Sequence, residues 1–340
     1  MRTILFYCAL PLLFICTILQ AQESAVTQRR PQFRHDPLNP MVHDPVLAKE
    51  GNTYYMFCTG MGVGRFSSKD LKVWERQPGC FTDVPASVKN VFSDAGNHLW
   101  APDIIFHNGL WHLFYSSSAF GKNTSVIGHA TSPTLDSESN DYEWTDNGIV
   151  IQSVPNRDNW NAIDPNIIID DNGSPWMNFG SFWGGMKLVK LTNNLNEVSQ
   201  PEEWRTLSRR PRSFAIDEAN PGDAAVEAPF IYKHGNWYYL FVSFDYCCRG
   251  KDSTYKVVVG RSKSVEGSYL DKEGENMALG GGSIVLEGDN ENWAAVGHCA
   301  AYTFDGLDVF VAHGYTQDTG QSRLVLRTIN WENEWPVIKW

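Results

Sequence analysis

The chain has 340 residues, with 28 Lys and Arg against 39 Asp and Glu and a formal net charge of −11 at pH 7. Hydrophobic residues at 42% and charged residues at 20% are globular proportions and exclude a disordered or collagen-like chain. The acidic balance repels phosphate backbones and anionic lipid, which argues against nucleic acid as a partner.

Met1-Arg2-Thr3 gives a short positive start, and Ile4 to Leu19 is an almost unbroken apolar run before Gln20-Ala21 and the polar Gln22-Glu23-Ser24. This is the pattern of a signal peptide over residues 1–21, and the run is short for a membrane span. Export is therefore expected, to a periplasm or the medium, with no membrane span in the mature chain, an N-terminal segment over 22–40 and a monomer. Of seven cysteines, Cys8 and Cys16 leave with the signal. Cys58, Cys80, Cys247, Cys248 and Cys299 remain, too few for a disulfide scaffold. Cys247 and Cys248 either close a strained ring or are two packed thiols, and packed thiols are the expectation.

From Met41 onward the chain repeats. Five segments share one plan: a small or polar opening, often with Pro, an apolar strand, a Gly or Asn turn, and an aromatic strand. They start at His43-Asp44-Pro45, Ala101-Pro102-Asp103, Asp164-Pro165-Asn166, Glu227-Ala228-Pro229 and His298-Cys299-Ala300. Their second strands are Thr53 to Phe57, Trp111 to Tyr115, Trp176 to Phe179, Trp237 to Phe241 and Val309 to Ala312. The steps from Asp44 to Asp103, Asp164, Glu227 and His298 are 59, 61, 63 and 71 residues. A second landmark follows in four units, as in Ser68-Lys69-Asp70-Leu71 and Ser262-Lys263-Ser264-Val265. Each unit has room for about four short strands, and no long stretch has helical periodicity. Four-stranded units repeated radially make a propeller, so the reading is an all-β, five-bladed β-propeller over 41–340.

In a propeller the first strand of each blade lines the axis, which brings Asp44, Asp164, Glu227 and His298 into one funnel. Hydrolysis of a glycosidic bond with inversion needs a carboxylate to deprotonate water and a carboxylic acid to protonate the leaving oxygen, roughly 6.5–9.5 Å apart. A third carboxylate nearby helps to keep the acid protonated. Spacing alone does not divide these roles among Asp44, Asp164 and Glu227.

His43-Asp44-Pro45, Leu99-Trp100-Ala101-Pro102-Asp103-Ile104, Ile163-Asp164-Pro165-Asn166 and Val226-Glu227-Ala228-Pro229-Phe230 resemble the signature motifs of glycoside hydrolase family 43. Phe120 to Ser125, Gly180 to Gly185, Phe244 to Gly250 and Ser253 to Lys256 are similar to its endo-1,5-α-L-arabinanase branch. The resemblance runs from about Met41 to Trp340. It implies a five-bladed propeller and an inverting mechanism, with Asp44 as general base, Glu227 as general acid and Asp164 tuning the acid. It implies arabinan and arabino-oligosaccharides as substrate, cleaved within the chain. It also places His298 on a family histidine that contacts an axial ion, usually calcium. Cys299 here departs from the Asn that often follows that histidine. Calcium prefers oxygen ligands, so a lone histidine implies a shell of waters and carbonyls.

By position in these motifs, Trp100, Phe120 and Trp183 are candidate platforms for furanose rings, and Asn166 and Ser181 candidates for hydrogen bonds to sugar hydroxyls. His43 either binds sugar or orients Asp44. Arg249 lies in a Gly-containing loop, and Asn123-Thr124-Ser125 is formally a glycosylation sequon. Rival readings are an exo-acting arabinanase, arabinofuranosidase or β-xylosidase on the same fold, and a propeller that binds glycans without cleaving them. The segment from Arg209-Arg210-Pro211 to Pro221-Gly222-Asp223 is long enough to wall off one end of a cleft, as exo action needs.

Overall fold

The computed structural model describes residues 35–211 and 224–340. The signal-peptide residues and most of the segment expected to wall the cleft lie outside them. The chain is a five-bladed β-propeller. Blade 1 comprises Val46–Glu50, Thr53–Cys58, Gly64–Ser68 and Glu75–Gln77, and blade 2 His98–His107, Leu110–Ser118, Ser125–Ser132 and Thr145–Ser153. Blade 3 comprises Asn166–Ile169, Pro175–Phe179, Met186–Lys190 and Trp204–Ser208, and blade 4 Val226–His234, Trp237–Phe244, Lys256–Ser262 and Ser283–Leu286. Blade 5 has three strands, Trp293–Phe304, Leu307–Thr316 and Ser322–Thr328. Neighbouring strands within each blade are antiparallel, and the aromatic segments of the sequence are the second strands.

Residues 39–42 close the ring along the outer strand of blade 5. Leu324 N–H donates to Pro40 O at 3.2 Å, Arg323 Nη1 to Asn39 O at 2.7 Å, and Ser322 Oγ to Val42 O. The compact unit that holds the propeller begins at His35, ahead of the start expected at residue 41.

The core lies in the seams between blades, and strand alternation decides which seam a side chain enters. In blade 3, Ile167, Met177 and Val189 pack with Phe114 and Ile127 of blade 2. Their neighbours Ile168, Trp176 and Leu188 pack with Ile231, Leu240 and Val258 of blade 4. Each such buried side chain contributes about 1.5–3 kcal/mol. Both faces of each blade are thus apolar, and polar chemistry is left to the strand ends that meet at the axis.

Candidate active site

The first strand of every blade opens with one residue in left-handed backbone conformation: Asp44 (φ 54°), Ala101 (41°), Asp164 (58°), Ala228 (54°) and His298 (48°). This fivefold kink fixes the register of the repeat and corrects the alignment read from spacing. Ala101, not Asp103, is the counterpart of Asp44 and Asp164. Asp103 sits two residues deeper, and Glu227 one residue earlier than its counterpart slot. The residues before the kinks, His43, Trp100, Ile163, Glu227 and Gly297, form a second ring of slots.

Left-handed φ is unfavourable for residues with a side chain, by about 1–2 kcal/mol, so each kink needs a partner for its N–H. Four are supplied by the second strand of the preceding blade in the ring or the residue just after it: Asp44 N donates to His313 Nδ1 (3.1 Å), Ala101 N to Thr59 Oγ1 (2.8 Å), Asp164 N to Ser116 Oγ (3.2 Å) and His298 N to Ser243 Oγ (2.8 Å). In blade 3 the corresponding residue is Gly180, whose N–H pairs with Ile163 O but which has no side chain to offer. Ala228 N donates instead to Asp164 Oδ2 at 3.1 Å. The missing side chain at Gly180 therefore ties Asp164 to the residue next to Glu227.

Asp44 is buried, and its carboxylate is surrounded by donors. His43 Nδ1 lies 2.8 Å and His298 Nδ1 3.0 Å from Oδ1, and Thr59 Oγ1 donates to Oδ2 at 2.5 Å. Burial disfavours the charge, but His298 and His43 outweigh it and hold the Asp44 carboxyl well below the usual range. Asp164 is the opposite case. Burial, reinforced by Glu227 and Asp44 and only partly offset by His298, pushes it well above that range. Burial also opposes charge on His298, but Asp44 and then the other two carboxylates prevail and raise it to about 9.

Glu227 is half-buried and accepts two hydroxyls at 2.7 Å, Tyr255 Oη on Oε1 and Ser181 Oγ on Oε2. Tyr255 reaches it because Gly297 leaves a slot empty: a Cβ there would stand 2.1 Å from Tyr255 Cδ1. Hydroxyls accept as well as donate, so this cradle holds a carboxyl with or without its proton.

Asp44, Asp164, Glu227, His43 and His298 line one cavity of about 810 Å³ with Trp100, Phe120, Ser181, Trp183 and Arg249. Phe120 is 80% exposed and Trp183 only 4%. Trp100 Nε1 donates to His98 Nδ1 at 3.0 Å, and Arg249 stacks 3.9 Å over the Tyr246 ring. Trp100, Lys122 and Trp183 also line a second, adjoining cavity of about 810 Å³.

Asn166 does not line the cavity. It is 2% exposed and joins three blades: Nδ2 donates to Asp103 Oδ2 (3.2 Å), and Oδ1 accepts from Asn178 Nδ2 (2.7 Å) and Ile231 N (2.9 Å). The register explains this, since Asn166 occupies the Asp103 position, two residues past the kink. Ser181 lines the cavity with its hydroxyl engaged on Glu227, and both ring nitrogens of His43 are engaged within the protein. Asn123 is buried with its amide nitrogen on Asp158 O (2.9 Å) and Trp160 O (3.2 Å), which leaves the sequon no free acceptor for a glycan. Cys247 and Cys248 form a disulfide rather than packed thiols. Both cysteines face the cavity.

Sequence reasoning missed Thr59, Tyr255, His313 and Tyr315. Tyr255 stands inside a motif that was singled out. The others lie at or just past the ends of second strands, where only the register of the kinks would have marked them.

Calcium takes six to eight oxygen ligands. Around His298 the nearest group is a carboxylate already held by two imidazoles and a hydroxyl. His298 Nδ1 is engaged on Asp44, which leaves Nε2 without a partner among the described residues. One nitrogen is thus available to a cation, and water would have to supply the rest of the shell.

Residues 36–336 match the family described as Glycosyl hydrolases family 43. The chain belongs to this family. Its fold and its enzyme class, glycoside hydrolase, follow from that membership. An extracellular exo-α-(1→5)-L-arabinofuranosidase of Cellvibrio japonicus is 50% identical over 299 residues, covering 87% of this chain and 86% of the relative. An extracellular endo-α-(1→5)-L-arabinanase of Bacillus subtilis is 39% identical over 303 residues, covering 88% of each. The structure of Cellvibrio cellulosa α-L-arabinanase complexed with arabinohexaose superposes with a TM-score of 0.85 at 49% identity, covering 88% of this chain and 95% of that one.

Proposed function

We propose that this family 43 hydrolase cleaves α-1,5-L-arabinofuranosidic bonds of arabinan by a single inverting displacement. The observation that carries the reading is the convergence of three carboxylates with opposed environments on one cavity. Asp44, kept ionised, takes a proton from water as its oxygen attacks the anomeric carbon. Glu227 gives its proton to the leaving oxygen as the glycosidic bond breaks, and its hydroxyl cradle holds the carboxylate that results. Asp164 raises the cost of a second negative charge beside Glu227 and fixes it through Ala228 N–H.

The sequence favours cleavage within the chain. The more similar of the two curated relatives above is named exo-acting, so we take release from a chain end as the leading mode. The adjoining second cavity of equal volume favours internal cleavage as the second reading. Phe120, Trp100 and Trp183 are proposed to contact the sugars. The relatives' names support export, and no helix among the described residues is long and apolar enough to cross a membrane. We take the exported protein to act as a monomer. A calcium ion, if bound, is proposed to sit on His298 Nε2 and to stiffen the imidazole beside Asp44.

The test is a product time course on linear arabinan, with xylan as control and Glu227→Gln alongside. One small product from the first time point means exo action, and a ladder that shortens with time means endo action. Xylan cleavage in place of arabinan cleavage moves the assignment to a xylosidase. Retention of arabino-oligosaccharide binding without any cleavage moves it to a binding propeller.

A further inference from the structure

Tyr315 belongs to none of the roles above, yet its hydroxyl is the meeting point of three groups. His43 Nε2 lies 2.8 Å from it, Cys248 N donates to it at 2.9 Å, and His313 Nε2 lies 3.3 Å away. The protons of this cluster follow from one fixed point. Asp44 N–H can only donate, and its partner is His313 Nδ1, so that nitrogen is bare and the His313 proton sits on Nε2, aimed at Tyr315 Oη. Cys248 N–H and His313 Nε2–H then fill both acceptor sites of the tyrosine oxygen. A third donor has no place there, and of the two acceptors beside the Tyr315 hydroxyl, His43 Nε2 at 2.8 Å and the weakly accepting Cys248 Sγ at 3.8 Å, the imidazole nitrogen takes the proton. With Nε2 accepting, the His43 proton is on Nδ1, 2.8 Å from Asp44 Oδ1.

The other end of the relay is the loop 245–250 that carries the Cys247–Cys248 disulfide. A bridge between neighbouring residues closes a small covalent ring and limits the directions in which the Cys248 N–H can point. The loop is pinned by Asp245 to Lys256 (3.0 Å) and to Arg210, and by Thr254 N to Tyr246 O (2.9 Å).

We propose that Tyr315 is a positioning residue for the general base: it selects the His43 tautomer that holds Asp44, and the adjacent-cysteine disulfide holds Tyr315. The inference rests on Asp44 being the base. It assigns the disulfide a part in turnover, through the direction of one N–H.

The test begins with the wild-type protein. Nitrogen-15 chemical shifts of the histidine side chains report the tautomers directly, and His43 is expected with Nδ1 protonated and Nε2 bare. Tyr315→Phe is expected to release that preference and to lower kcat on arabino-oligosaccharides about 10-fold, with KM within about 2-fold. Reduction by a dithiol, which takes up the disulfide as its own cyclic disulfide and leaves Cys247 and Cys248 as thiols, is expected to lower wild-type kcat and to add nothing in Tyr315→Phe. Cys247→Ser with Cys248→Ser serves as the reductant-free form of that arm. A wild-type His43 protonated on Nε2, an unchanged kcat in Tyr315→Phe, or additive effects of variant and reduction would each overturn the inference. The tautomer readout needs no variant to fold. Full activity in Asp44→Asn would overturn the reading beneath it instead, whatever Tyr315→Phe does.

Discussion

The two sides of the catalytic cavity hold their carboxylates by different chemistry. Around Asp44 the hydrogen-bond partners are two imidazoles and a threonine hydroxyl, two of them on the same oxygen, all arranged to favour the charged form. Around Glu227 both partners are hydroxyls that can turn their protons either way. A base for water must be charged when substrate arrives, whereas an acid must lose its proton and regain it each cycle. On the roles proposed above, the difference lies less in the carboxylates than in their partners: imidazoles dominate around Asp44, and only hydroxyls meet Glu227.

The strongest test of that contrast pairs Asp44→Asn with Glu227→Gln. Each should lower kcat on arabino-oligosaccharides by about 10²–10⁴-fold. On an aryl arabinofuranoside, whose leaving group departs without a proton, the Glu227→Gln defect should shrink while the Asp44→Asn defect stays. Equal defects on both substrates would break the division of roles. Asp164→Asn is expected next, with kcat lowered about 10–100-fold and the high-pH limb of the rate profile moved to lower pH, because two neighbouring carboxyls no longer hold one proton between them. A rate profile with an unmoved high-pH limb would sink Asp164 as the tuning group.

Single-partner variants sharpen the comparison at smaller amplitude. Thr59→Val removes a donor from Asp44 and the acceptor of Ala101 N–H, and Tyr255→Phe removes one hydroxyl from Glu227. Each loss is worth about 1 kcal/mol, near 5-fold in rate. The Thr59→Val defect should be the same on both substrates, and the Tyr255→Phe defect larger on the natural one.

The smallest effect lies away from the chemistry. Burial raises Asp103 to about 7, only partly offset by the Ile167 and Ile104 N–H groups and Asn166. A folded pKa above the ordinary 3.8 means that folding retains a proton which the unfolded chain releases. Wild-type stability should therefore fall between about pH 4 and 7 from this group. Asp103→Asn should match wild type in thermal melting at pH 4 and exceed it at pH 8. An equal gap at both pH values would reject buried charge as the cause.

Much of this was legible in the chain. Near-equal spacing of the strand openings gives the blade number, because each blade must bury two apolar faces and so has a nearly fixed length. The types of Asp44, Asp164, Glu227 and His298 give the acidic funnel, because first strands meet at the axis. Spacing blurred the register by one or two residues, which was enough to align Asp103 with Asp44, and motif position alone put Asn166 among the sugar contacts. The kink at each opening resolves this, and it is a backbone conformation that Ala101 and Ala228 adopt without any signature in residue type.

What the sequence determined by itself is the repeat, the chemistry of its openings and the family that the motifs carry. What the tertiary structure decided is which groups meet across the closed ring. His43 and Tyr315 are 272 residues apart. They touch because blade 5 returns to blade 1, and no local pattern encodes that contact. Gly180 and Gly297 act in the same way, through side chains they lack, and that absence has meaning only once the neighbours that use the space, Asp164 and Tyr255, are in position.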